Sequence, residues 1–122
     1  MMQSVSGGGH FGGGLFINTY DHARFGLLFA RNGKWKGTQL LSEQWTNSAI
    51  QPSTANKEYG FLWWLNTNGR LGKKSKAAYA AEGFGGNFIV VDEAADLVIV
   101  TRWLEPRKIG ELVDLVMEAV KQ

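Results

Sequence analysis

Few side chains in this sequence could carry nucleophilic or acid–base chemistry: Ser4, Ser6, Ser42, Ser48, Ser53 and Ser75, then Tyr20, Tyr59 and Tyr79, and His10 and His22. Cysteine is absent, which removes thiolate nucleophiles, thiolate metal sites and disulfides together and leaves the redox compartment open. The two histidines stand far apart with no third ligand beside them, so no metal site is expected. Gly7, Gly9 and Gly12 match the spacing of a dinucleotide fingerprint. No strand precedes them and no βαβ unit follows, so the match is coincidental and no cofactor is expected. Glu82 has no second acid or histidine nearby in sequence and is expected to be solvated or salt-bridged. Trp35, between Lys34 and Lys36, has the composition of a stacking site for a base or sugar, but such residues more often pack over a helix end. Trp63, Trp64 and Trp103 have the bulk to line a cleft, although aromatic residues in strands are usually core.

The elements that would position these groups follow from periodicity. Gly7 to Gly14 is a loop, since it lacks side chains with which to pack. A first helix follows, capped by Asn18 or Thr19, with Asp21 in its first turn and Phe25, Leu28 and Phe29 as its apolar stripe. Asn32-Gly33 ends it in the left-handed manner. A second, short helix starts at the cap Ser42, turns Trp45, Ala49 and Ile50 inward and stops before Pro52. No strand is expected before residue 58. From there the period becomes two: Tyr59, Phe61, Trp63 and Leu65 on one face of a strand, Leu62 and Trp64 on the other. Asn68-Gly69 signals a turn, and Lys73-Lys74-Ser75-Lys76 a solvated loop. Strands are expected over Ala77 to Glu82, Phe88 to Asp92 and Leu97 to Trp103, the last two joined by a Glu93-to-Asp96 hairpin turn. Glu105-Pro106 opens a last helix, whose Ile109, Leu112, Val113, Val116, Ala119 and Val120 form one apolar face. The fold class is α+β: an antiparallel sheet of three to four strands packed against a C-terminal helix, preceded by two short helices. Residues 1–122 form a single domain, with 1–18 as a Gly-rich lead-in.

Three ordered stretches carry a family resemblance. They are Gly12-Gly13-Gly14-Leu15-Phe16 with Asp21-His22-Ala23-Arg24-Phe25-Gly26; Tyr59-Gly60-Phe61-Leu62-Trp63-Trp64; and Ala81-Glu82-Gly83-Phe84-Gly85-Gly86-Asn87 running into Phe88 to Asp92 and Leu97 to Val100. In order and spacing the chain resembles the second half of the beta-lactamase-related serine hydrolases, the group of class C beta-lactamases, penicillin-binding proteins, esterases and amide hydrolases such as 6-aminohexanoate-dimer hydrolase. The resemblance implies part of a beta-lactamase/transpeptidase-like fold. It also implies acyl transfer, in which a Ser-x-x-Lys serine attacks a carbonyl, Lys and Tyr move protons, and backbone N–H groups hold the oxyanion. No serine here has Lys three positions on, and no tyrosine has Asn two positions on. Nucleophile and base are therefore expected on polypeptide before Met1, and this chain alone is expected to be inactive. The family's Lys-Thr-Gly-like triplet corresponds by position to Ala81-Glu82-Gly83, a departure that points toward esterases and amide hydrolases. The resemblance puts Glu82, Gly83 and the Phe84 N–H on the substrate and oxyanion side. Read as residues alone, Gly83, Gly85 and Gly86 equally suit a bulge or tight bend.

Bulk properties bound the partners. Hydrophobic residues are 44% of the 122, and 13 Lys plus Arg face 11 Asp plus Glu for a net charge of +2. That excess is too small to draw a polyanion, so no nucleic acid is expected. No apolar run reaches the roughly 18 residues of a membrane span, and Met1 to Ser6 lack the basic and apolar regions of a signal peptide. A soluble chain follows, with no membrane partner, cytoplasmic by default. The expected partners are a small ester, amide or lactam substrate if the missing half is supplied, and a second copy of the chain through an exposed sheet edge. The alternative function is a free-standing, non-catalytic binding domain.

Overall fold

The computed structural model describes residues 17–120. The Gly7-to-Gly14 loop, the glycine fingerprint, His10 and the Gly12-to-Phe16 stretch lie outside the described residues. Helix α1, Thr19–Ala30, is capped by Asn18, whose Oδ1 accepts from the Asp21 N–H at 2.8 Å while its Nδ2 donates to Asp21 Oδ2 at 2.9 Å. Such a cap is worth about 1 kcal/mol. The helix ends as the sequence suggests, with Asn32 at φ 50° and Gly33 at φ 78°. The Gly33 N–H closes on the Leu28 carbonyl at 2.8 Å.

A hairpin then departs from expectation: β1, Lys34–Trp35, pairs with β2, Thr38–Gln39, across Lys36 and Gly37 at φ 47° and 85°. Two successive left-handed residues are what a two-residue hairpin turn requires. The strands are too short to leave an alternating pattern, and Lys-Gly is a weaker turn signal than Asn-Gly. Helix α2, Glu43–Ala49, starts at Ser42, whose Oγ accepts from the Trp45 N–H at 3.1 Å. It buries Thr46 and Ala49. Trp45 does not turn inward as expected: it is 50% exposed and stacks on Phe61, ring centroids 5.4 Å apart.

The expected strand over Tyr59 to Leu65 is mostly a turn. The Gly60 N–H donates to the Trp63 carbonyl at 2.9 Å, the Phe61 N–H donates to the Ala49 carbonyl at 2.8 Å, and Leu62 has φ 65°. Gly60 is required there, because a Cβ would sit 2.1 Å from the Ala49 carbonyl oxygen. The chain thus folds against the end of α2. Only β3, Trp64–Leu65, joins the sheet, and Phe61 and Leu62 face solvent.

The remaining strands form as expected to within two residues at their ends: β4, Tyr79–Gly83; β5, Asn87–Asp92; and β6, Leu97–Thr101. The four lie in the order β3-β4-β5-β6, every pair antiparallel. Their alternate side chains build two cores. On one face Leu65, Tyr79, Ile89 and Val91 pack with Phe29 and Ala30 of α1, Ala49 of α2, and Trp63. Trp63 is the hub, its ring 4.6 Å from Phe29 and 5.0 Å from Tyr79. On the other face Ala80, Phe88 and Val90 meet Ile109, Val113 and Met117 of α3, Ile109–Ala119, which continues a 3-10 turn over Pro106–Lys108. Met117 supplies the third apolar contact, while the expected Ala119 and Val120 are exposed. The sheet is therefore covered on both faces, and the protein is α+β. Among the described residues no helix is long and apolar enough to cross a membrane.

Candidate functional site

The residues Glu82, Gly83 and Phe84 come together at one end of the sheet, where β4 turns into β5. β3 pairs only with Tyr79 and Ala80. The outer edge of Ala81, Glu82 and Gly83 therefore has no strand partner among the described residues. A free edge of this kind presents backbone donors and acceptors to an incoming extended group. Gly83 is exposed, and a Cβ there would find only ordinary contacts, the nearest being the Asn87 carbonyl oxygen at 3.7 Å. Phe84 is 93% exposed. Its N–H has no hydrogen-bond acceptor among the described residues.

The turn that carries this amide is held from behind. Gly85 and Gly86 have φ of 77° and 73°. The Gly86 carbonyl accepts from the Leu104 N–H at 3.2 Å and from Thr101 Oγ1 at 3.1 Å. The ring of Trp103 lies over Gly85, where a Cβ would come within 2.4 Å of it. Asn87 Nδ2 donates to the Phe84 carbonyl at 2.6 Å, and Asn87 Oδ1 accepts from Arg102 Nε at 2.9 Å. Arg102 Nη1 reaches the Ile17 carbonyl at 3.2 Å, tying the turn to the start of α1. The glycines thus serve both a tight bend and an exposed amide.

Glu82 is salt-bridged, to Arg70, and the Arg70 guanidinium lies 5.6 Å from the centroid of the Trp64 ring. This pairing occupies the carboxylate and argues against acid–base work by Glu82. Trp63 is core, Trp64 is half-buried beside Tyr59, and Trp103 is exposed, so the three tryptophans do not share a cleft. Tyr79 is buried and donates to Glu93 Oε1 at 2.7 Å. Burial first, then that bond, push its pKa far above the ordinary tyrosine value, so it is no base.

His22 of α1 has a buried Nδ1 without a hydrogen-bond partner among the described residues. Burial lowers its pKa below 6.5, the Arg102 charge lowers it further, and Asp21 opposes both. The folded state thus binds fewer protons than the unfolded state. The contribution to stability is full above 6.5 and is lost as pH falls through that value toward the lower folded pKa. Denaturant unfolding between about pH 7.5 and 5 should show stability falling with acid, and His22→Gln should flatten that slope. An identical slope in the variant would contradict the assignment.

Sequence reasoning missed a polar network at the opposite end of the sheet. Ser75 sits in the expected solvated loop but is buried, and its Oγ donates to Asp92 Oδ2. Asp92 Oδ1 also accepts from the Ala95 N–H at 3.0 Å. Asn66, buried, donates from Nδ2 to the Gly72 and Ser75 carbonyls, each at 2.7 Å, and accepts from the Leu71 N–H at 2.7 Å. A cleft of about 520 Å³ opens beside this network between Lys74, Lys76, Ala94 and Met117. The Asn68-Gly69 turn was the nearest signal of it in sequence, and it gave no hint of burial. No group of three or more metal-ligating side chains forms among the described residues.

In comparisons with known proteins, no family model and no curated protein matches the chain.

Proposed function

We propose that this chain forms one wall of an acyl-transfer site in a beta-lactamase-like serine hydrolase acting on esters, amides or lactams, with the nucleophile and its base supplied by polypeptide outside this sequence. One observation supports the reading: among the described residues, the edge of β4 over Ala81–Gly83 has no strand partner and runs straight into the exposed residue Phe84, whose amide has no acceptor. As a serine oxygen adds to the carbonyl carbon, charge develops on the carbonyl oxygen, and the Phe84 N–H donates to it. One such donor contributes roughly 3–4 kcal/mol to the transition state in an intact enzyme. Gly83 leaves room for the acyl group against the strand, and the rigid turn behind Phe84 keeps the amide aimed without reorganisation. Ala81 and Glu82, in place of Lys and Thr, favour esters and amides over lactams. The second reading, a non-catalytic interaction domain, is favoured by the outer edge of β6, which has no strand partner among the described residues.

The purified chain should not hydrolyse a chromogenic ester or lactam, and a serine-reactive fluorophosphonate should leave its mass unchanged. Turnover that persists through purification and disappears on replacing one serine would overturn the proposal.

A further inference from the structure

Trp103, just past the end of β6, is held in the open. It is 71% exposed, and its backbone lies at φ 59°, a left-handed conformation that a bulky residue seldom adopts. Both of its neighbours are fixed. Arg102 donates to Asn87 Oδ1 at 2.9 Å and to the Ile17 carbonyl at 3.2 Å. Leu104 donates its N–H to the Gly86 carbonyl at 3.2 Å, and its side chain packs against the core under α3. Trp103 itself belongs to neither core: the six-membered ring of its indole lies against Gly85 and most of the side chain faces solvent. A strained residue that adds nothing to the core points to a role outside it.

The place of the ring says what it touches. Gly85 directly follows Phe84, so the indole covers a Cα only about 3.8 Å along the chain from that of the exposed amide residue. A carbonyl oxygen held by the Phe84 N–H leaves its carbon with two arms. On the acyl-site reading the acyl arm lies along Ala81–Gly83, and the arm on the ester oxygen or amide nitrogen departs across the turn, over Gly85. There Trp103 offers a flat apolar face, with the exposed Phe84 beside it in the chain. The charged neighbours are engaged: Arg102 as above, and Glu105 with Arg107 at 4.0 Å. The shelf therefore suits a neutral group, and an aryl ring joined directly to the leaving atom is flat enough to stack on the indole.

We propose that Trp103 is a specificity-determining residue of the acyl site, its indole stacking on an aryl leaving group, so that aryl esters and anilides are the preferred substrate class. The inference rests on the acyl-site reading, and the two can fail separately.

A set of small amides separates the arms: N-methylacetamide carries no ring, acetanilide carries one on nitrogen, and N-methylbenzamide carries one on the acyl side. Titrated into the ¹⁵N-labelled chain, acetanilide should bind about fivefold more tightly than N-methylacetamide. It should shift the Trp103 indole N–H and the Gly85 amide together with Phe84. If N-methylacetamide shifts Ala81 to Phe84 while acetanilide binds no more tightly, or leaves Trp103 unmoved, the aryl shelf is wrong and the acyl site stands. N-methylbenzamide matching acetanilide at Trp103 would overturn the assignment to the leaving arm. Shifts absent at Glu82 to Phe84 with every compound would remove both readings. Trp103→Gly, which accepts φ 59° without strain, should bind acetanilide and N-methylacetamide alike. Trp103→Phe should keep most of the preference. A folded Trp103→Gly chain that still prefers acetanilide to the wild-type degree would overturn the role given to the indole.

Discussion

Gly86→Ala should lower the unfolding free energy by at least ~3 kcal/mol, and the melting temperature by roughly 10 °C or more. Two costs combine. The residue sits at φ 73°, where an L side chain costs about 1–2 kcal/mol. A Cβ would also lie 1.6 Å from the Leu104 carbonyl oxygen, which is backbone and cannot swing aside. Relief requires the turn to move away from the exit of β6, breaking the bonds from Leu104 N and Thr101 Oγ1 to the Gly86 carbonyl. Gly83→Ala provides the contrast: with its nearest neighbour at 3.7 Å, it should change stability by less than ~0.5 kcal/mol. Chemical denaturation of both variants checks the pair. A Gly86→Ala protein as stable as wild type would show that the turn is not clamped.

Asn66→Ala should cost about 3–4 kcal/mol, since it strands a buried N–H and two buried carbonyls at roughly 1 kcal/mol or more each. Those partners belong to the loop from Leu71 to Ser75, which carries Leu71 into the core under α3. Asn66→Asp separates lost contacts from introduced charge. It keeps an acceptor for the Leu71 N–H but aims a carboxylate at two carbonyl oxygens in a buried site, so its folded pKa should rise. The stability of that variant should then be greatest in acid and be lost as pH rises through the carboxyl range. Unfolding across that range checks it. A loss below ~1 kcal/mol for Asn66→Ala would mean that water replaces the side chain.

Much of this architecture is legible in the sequence wherever one period runs long enough. The strands around Ala80, Val90 and Ile99 are short, mostly apolar runs of five or six residues bounded by turns, and the last helix shows its apolar face through Ile109 and Val113. The caps Asn18 and Ser42 and the left-handed Asn32-Gly33 are local chemistry, and they appear where the residues suggest. Tyr59 to Leu65 misleads because an alternating run of aromatics is overridden by one contact, Gly60 against the Ala49 carbonyl, that no local pattern contains. Trp45 misleads because Phe61, exposed by that same turn, offers it a stacking partner on the surface. At the candidate site, the clustering of Glu82, Gly83 and Phe84 follows from adjacency. Their availability depends on β3 being two residues long, and that is a tertiary fact.

The central claim is that an acyl compound rests against the β4 edge and the Phe84 amide. It is tested most directly by titrating the ¹⁵N-labelled chain with a short N-acyl amide at millimolar concentration and following the backbone amides by NMR. The account expects the largest shifts at Ala81 to Phe84, with Gly83→Ala reducing them. Shifts centred instead on the cleft beside Lys74, Lys76 and Ala94, or none at Glu82 to Phe84, would contradict it.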